Sequence, residues 1–225
     1  MSLFKKYTNT LKTLYSEPRQ VIDSFLRGGY ESFLHPFKFV LIGVISIIII
    51  NTLALDYTIE PELSDLPSES EVIRLLGEWT QIVSVRAATQ FLPLTMFLIQ
   101  IVALSIGAML FLRGKTDGFF DHIVINSYAI GASMIALPLL LPVWGLSGQP
   151  LTDPFINSTI PAMVVAGVIL WIYNLYFRMN GFMDWIRVLS GYVTGFVIYV
   201  LLKGLLASVI AYFIFAVNRL LTISG

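Results

Sequence analysis

Lys203 is the residue that most invites a chemical reading. It stands sixteen residues from Arg187 and sixteen from Arg219, midway along a stretch otherwise free of charge. A charge at the centre of a bilayer costs about 2.5–3.5 kcal/mol on insertion scales, so such a lysine faces protein or water, not acyl chains. No acidic residue lies within any long apolar run, which leaves Gln100, Asn126, Ser127, Ser133, Asn174 or a backbone carbonyl as partners. Lys203, Gln100, Asn126 and Asn174 are therefore the intramembrane polar candidates. Two uses stay open: Lys203 snorkels to the surface, or it serves an anion or proton site.

The two histidines offer less. His35 stands in "GGYESFLHPFKF" without a second histidine at ligand spacing, and Glu31 is its one sequence-local acid. Acid–base work needs partners. The stretch reads instead as a joint: Gly28-Gly29 end one helix, and Pro36 starts another without losing a needed N–H. Phe37 then anchors at the interface and Lys38 reaches for phosphates. Asp117, Asp121 and His122 cluster in "RGKTDGFFDHIV", where an acid–base or metal site competes with a polar loop leading into a helix. The helix dipole favours Asp121 at such a start. H-E-x-x-H, G-x-S-x-G and a Gly-rich phosphate loop are missing, and there are no cysteines. Thiolate chemistry, disulfides and Cys-based zinc sites are excluded. The expectation is no catalytic residue, no metal, no cofactor and no enzyme.

The elements that position these residues follow from composition. Of 225 residues, 56% are hydrophobic and 12% charged, more apolar surface than a soluble domain can cover. Net charge is zero, so nothing argues for nucleic acid. Uncharged runs fall at 39–55, 91–112, 123–152 and 154–177, and 188–218 is broken only by Lys203. About 20 apolar residues cross a bilayer. The expected fold is thus all-α, a polytopic five-helix transmembrane bundle with spans near 37–55, 91–112, 123–143, 159–178 and 188–218. Residues 188–218 would measure about 46 Å as one helix, longer than the roughly 30 Å core. Either its first turns lie outside the core or it tilts and breaks near Gly204.

Basic residues set the expected orientation. Lys5, Lys6, Lys12, Arg19, Arg27 and Lys38 precede the first span, Arg113 and Lys115 follow the second, and Arg178 and Arg187 flank the fourth connection. The connections 56–90 and 144–158 are acidic or lack basic residues almost entirely. This places the N-terminus in the cytoplasm and the C-terminus outside.

Residues 1–38 form a cytoplasmic amphipathic segment. Phe4, Tyr7, Leu11, Leu14 and Tyr15 recur on one helical face, with Lys5, Lys6 and Lys12 on the other. A second short helix from Pro18 carries Val21, Ile22, Phe25 and Leu26. Such a pattern lies on a bilayer surface, packs on the bundle, or binds a partner. Lys5, Lys6, Lys12, Phe37 and Lys38 are the expected interface anchors. In the outer connection, Ser68 and Glu71 fit a capping box before Val72, Leu75, Leu76, Trp79, Ile82 and Val83 at helical spacing. Gly191-x-x-x-Gly195, Gly204-x-x-x-Ser208, Ser127-x-x-x-Gly131 and Ala162-x-x-x-Ala166 let helices approach closely, within this chain or between copies. Pro138 and Pro142 should bend or end the third span near Trp144.

The segment "TLKTLYSEPRQVIDSFLRGGYESFLHPFKFVLIG", followed by five spans, resembles the bacterial Yip-like membrane proteins, in a branch some of whose members carry an N-terminal zinc ribbon that is missing here. "SYAIGASMIALPLLL" places Tyr128 and Pro138 like the Gly-Tyr…Leu-Pro element of the eukaryotic Ypt-interacting proteins, with Ser127 where those have Gly. The resemblance implies a non-enzymatic inner-membrane scaffold that organises membrane or partner proteins. The partners expected are the lipid bilayer, a second copy, or other membrane proteins. A small transporter or channel subunit using Lys203 is the alternative.

Overall fold

The computed structural model describes residues 2–54, 73–74, 76–78, 80, 93–116, 118–137 and 160–223. Their regular structure is all helical, with no strand among the described residues. The helices are α1 (Leu3–Ser16), α2 (Pro18–Leu26), α3 (Pro36–Ala54), α4 (Pro93–Phe111), α5 (Phe119–Ala136), α6 (Ile160–Phe177) and α7 (Phe182–Ile223), with a short 3₁₀ turn at Tyr30–Ser32. Each of the five expected spans coincides with one of α3 to α7, although α5 begins four residues before the expected start. Most of the outer connection, the capping box, Asp117, Pro138, Pro142 and Trp144 lie outside the described residues. Within that connection, residues 73–74, 76–78 and 80 are helical, and Arg74 Nη1 pairs with Glu78 Oε1 at 2.9 Å one turn on.

Local chemistry sets the boundaries. The Ser2 hydroxyl accepts the Lys5 N–H at 3.3 Å and caps α1. Pro18 opens α2, and Gly28, at φ +79°, closes it with the Gly29 N–H on Ser24 O. That left-handed backbone suits glycine because no Cβ meets the following carbonyl. His35 then caps α3, its Nδ1 accepting the Phe37 N–H at 3.2 Å, with Pro36 in the first turn. Its ring also meets Phe25 edge-on at 4.9 Å. The joint is built as its residue types suggest.

The core is centred on α5, which is buried almost continuously from His122 to Met134 and packs against α3, α4 and α6. Close approaches fix the register. Phe39 lies so near Gly131 that a Cβ there would meet its ring at 2.5 Å, and a Cβ on Gly43 would meet Met134 Sδ at 3.0 Å. The Tyr128 hydroxyl donates to Leu34 O at 2.7 Å. Hence α3 runs parallel to α5 but starts alongside Tyr128, about 13 Å beyond the start of α5. The step so formed is filled by α1 and α2. Their buried side chains are Thr10, Leu14, Pro18, Val21 and Ile22, with Tyr7, Leu11 and Tyr15 packed beside them.

The last helix is different. α7 runs 42 residues, about 63 Å, without a break at Gly204. Its first third crosses α4 at glycines: a Cβ on Gly107 would meet Gly191 O and lie 2.5 Å from Gly195 N, and one on Gly195 would meet Leu104 Cα at 2.6 Å. Two described helices are long and apolar enough to cross a membrane, Phe119–Ala136 and Phe182–Ile214. The first is 67% buried within the molecule and the second only 11%.

Candidate functional site

Buried polar groups gather on one side of α5. His122 and Asn126 are one turn apart, and both are 1% exposed. The His122 Nε2 shares a hydrogen bond with the Thr116 hydroxyl at 2.9 Å. Asn126 Nδ2 donates to Ser105 Oγ at 3.1 Å, and Ser105 Oγ donates in turn to Ile101 O at 2.6 Å. Asn126 and Tyr173 line a cavity of about 10 Å³ among Leu104, Ala108, Val188 and Tyr192. That is about the volume of one water centre. Among the described residues, Asn126 Oδ1, the Tyr173 hydroxyl and His122 Nδ1 are buried without a partner. The cavity is too small for a solute and tight enough to fix one small polar molecule.

Asp121 and His122 do not form a dyad. Neighbours in a helix point about 100° apart, and here His122 turns inward while Asp121 lines a cleft of about 320 Å³ with Arg19, Asp23, Arg27, Lys115 and Tyr176. Lys115 Nζ pairs with Asp184 Oδ1 at 2.9 Å, and Arg187 approaches the same oxygen at 4.0 Å. The hydrogen bond from Lys115 holds the Asp184 carboxyl below its ordinary range. Among the described residues, no three His, Asp or Glu side chains could hold a metal ion together.

The N-terminal helices are fastened to α5 and α6 by polar contacts. The Tyr15 hydroxyl donates to Ala132 O at 3.0 Å, and Trp171 Nε1 donates to Tyr15 O at 3.2 Å. Arg19 Nε donates to Tyr176 O with its guanidinium 6.0 Å above the Tyr176 ring, and the Tyr176 hydroxyl donates to Asp23 Oδ1 at 3.0 Å. Arg19 and Asp23 stand one turn apart on α2, a polar pair beside its apolar face.

Beside these contacts, a second cleft of about 550 Å³ opens between the α1–α2 junction and the end of α6. Ser16, Glu17, Arg19, Gln20, Asn174 and Arg178 contribute to its walls. Arg178 has φ +48°, and the Met179 N–H returns to Asn174 O at 3.3 Å. This is the left-handed position that ends a helix, usually glycine, where a side chain costs about 1–2 kcal/mol.

The expected site residues are dispersed. Asn126 is in the buried cavity, Asn174 in the 550 Å³ cleft, and Gln100 is half-buried on α4. Lys203 is half-buried on α7 and has no hydrogen-bonding or ion-pairing partner among the described residues. It lies eleven residues, about 17 Å, beyond Tyr192 at the cavity. Lys5, Lys12, Phe37 and Lys38 are exposed, and Lys6 is half-buried. Phe4, on the same apolar face, is 79% exposed within the chain because α1 meets the bundle only from Tyr7 onward. Arg19 and Arg178 enter the sequence reading only as orientation charges, because spacing does not reveal that they face one cleft. No protein-family model, curated protein or solved structure matches this chain.

Proposed function

We propose that this protein is a five-span scaffold or accessory protein of a bacterial inner membrane, Yip-like in layout and without catalysis of its own. Its N-terminus is cytoplasmic and its C-terminus outside. The observation that carries the reading is α7, whose apolar side chains, among them Leu201, Leu205, Val209 and Phe213, remain exposed over several turns. Water would not tolerate that flank; acyl chains or another apolar helix would cover it.

The step at the start of α3 suits the surface reading of α1 and α2, since α1 keeps Lys5 and Lys12 exposed while its other face packs on the bundle. Gly195 meets Leu104, next to Ser105 and its partner Asn126, so Lys203 lies level with about Ile135, near the end of α5. Purification in mild detergent with mass spectrometry tests the scaffold. A second copy, a partner protein or retained lipid is expected, and a bare monomer would defeat the reading.

The second reading is a transporter or channel subunit using Lys203, which is half-buried and has no ion-pairing partner among the described residues. Its test is flux through proteoliposomes of wild type and Lys203→Met. The scaffold reading expects equal fluxes, and a loss in the variant would establish the transporter.

A further inference from the structure

We propose that the cleft between the α1–α2 junction and the end of α6 binds the phosphodiester of an anionic glycerophospholipid, with its acyl chains along the outer flank of α6. The inference rests on the membrane reading above. Arg19 and Arg178 approach the cleft from different helices, and Ser16, Gln20 and Asn174 add neutral hydrogen-bonding groups. Glu17 is the one carboxylate among the lining residues, and it is exposed, free to turn to solvent. The Arg19 Nε is committed to Tyr176 O, which orders the guanidinium and leaves its terminal nitrogens for a bidentate phosphate contact.

Two further observations point to a lipid. Met163, Gly167 and Trp171 form an exposed strip at four-residue spacing that runs down α6 to the cleft, and a Cβ on Gly167 would meet nothing within 4 Å. Trp171 is 52% exposed although its Nε1 is tied to Tyr15 O, the posture of an interfacial tryptophan. Arg178, for its part, occupies a left-handed position where glycine would be unstrained. Among the described residues it makes no ion pair. Backbone strain of this kind concentrates at binding sites.

The test uses the full chain. Membranes are first washed at alkaline pH. Release of the protein would sink the membrane reading, and this proposal with it. Retained protein is then delipidated in detergent and titrated with phosphatidylglycerol, phosphatidylcholine or glycerophosphoglycerol, which has the headgroup but no chains. Binding is followed by thermal shift and by quenching of tryptophan with brominated acyl chains. Two arginines predict that phosphatidylglycerol binds tens-fold more tightly than phosphatidylcholine, at about fivefold per basic residue. Arg178→Gly should lose about fivefold of that preference while its lipid-free melting temperature stays equal or rises, because the strain is gone; Arg178→Lys should keep most of it. Equal binding of the two lipids, or an unchanged preference in Arg178→Gly, would overturn the site. A comparable shift with glycerophosphoglycerol would reassign it to a soluble phosphate ligand and overturn the lipid.

Discussion

Asn126 and Tyr173 are polar side chains that the bundle has buried around a space fit for one water. A water held in that space would pair Asn126 Oδ1 with the Tyr173 hydroxyl, neither of which has a protein partner among the described residues; removing either side chain would then strand the other, at about 1–3 kcal/mol. Tyr173→Phe and Asn126→Leu should each destabilise by about 1–2 kcal/mol, while the double variant should be closer to wild type than their sum. A double-mutant cycle of thermal unfolding in one detergent reads the coupling, and additive losses would show that the two groups act apart. Asp184 makes a pH-dependent prediction. Its carboxyl is lowered by Lys115, so the folded state binds fewer protons than the unfolded chain. The pair's stabilisation is present above the ordinary carboxylate value of 3.8 and is lost as pH falls through the lowered folded value. Asp184→Asn should therefore lower the melting temperature slightly and equally between about pH 6 and 8, and converge with wild type in strong acid. Added salt should shrink the difference, because both partners are partly exposed.

At the scale of elements, the crossing of α4 and α7 depends on the absence of side chains. A methyl at Gly107 would strike backbone atoms of Gly191 and Gly195, and backbone cannot step aside as a side chain can. Gly107→Ala should cost at least about 1–3 kcal/mol, the usual penalty of overpacking, by forcing the helices apart. Gly204 faces open space within the chain, so Gly204→Ala should be neutral or gain up to about 1 kcal/mol from helix propensity. Thermal unfolding of the two variants side by side checks the contrast. A large loss at Gly204 would mean that another molecule packs there. The docking of α1 and α2 belongs to this scale too. Their apolar face is occupied by the bundle, while Leu3 and Phe4 at the tip remain outside it.

For the whole molecule, the absence of cysteine makes topology directly measurable. In intact cells, Ser147→Cys should react with an impermeant maleimide, and Thr8→Cys only after the membrane is opened. The reverse pattern would invert the orientation inferred from lysine and arginine placement. The charge-free runs alone located α3 to α7, because few sequences other than apolar helices remain uncharged for about 20 residues. The first amphipathic helix, read from Phe4 to Tyr15, and the joint at 28–39 were equally legible, since periodicity, proline and glycine act over a few neighbours. Tertiary structure alone decided what each apolar face meets. Gly191 and Gly195 read as a contact motif, but only the fold shows that the partner is α4 of the same chain. Lipid and neighbouring helix are similarly apolar, so the pattern on one helix is the same for both. The stagger of α3 against α5, the inward turn of His122 away from Asp121, and the shared cleft of Arg19 and Arg178 have the same origin. Each depends on the relative placement of helices more than twenty residues apart in sequence or on one backbone angle, and neither leaves a periodic trace.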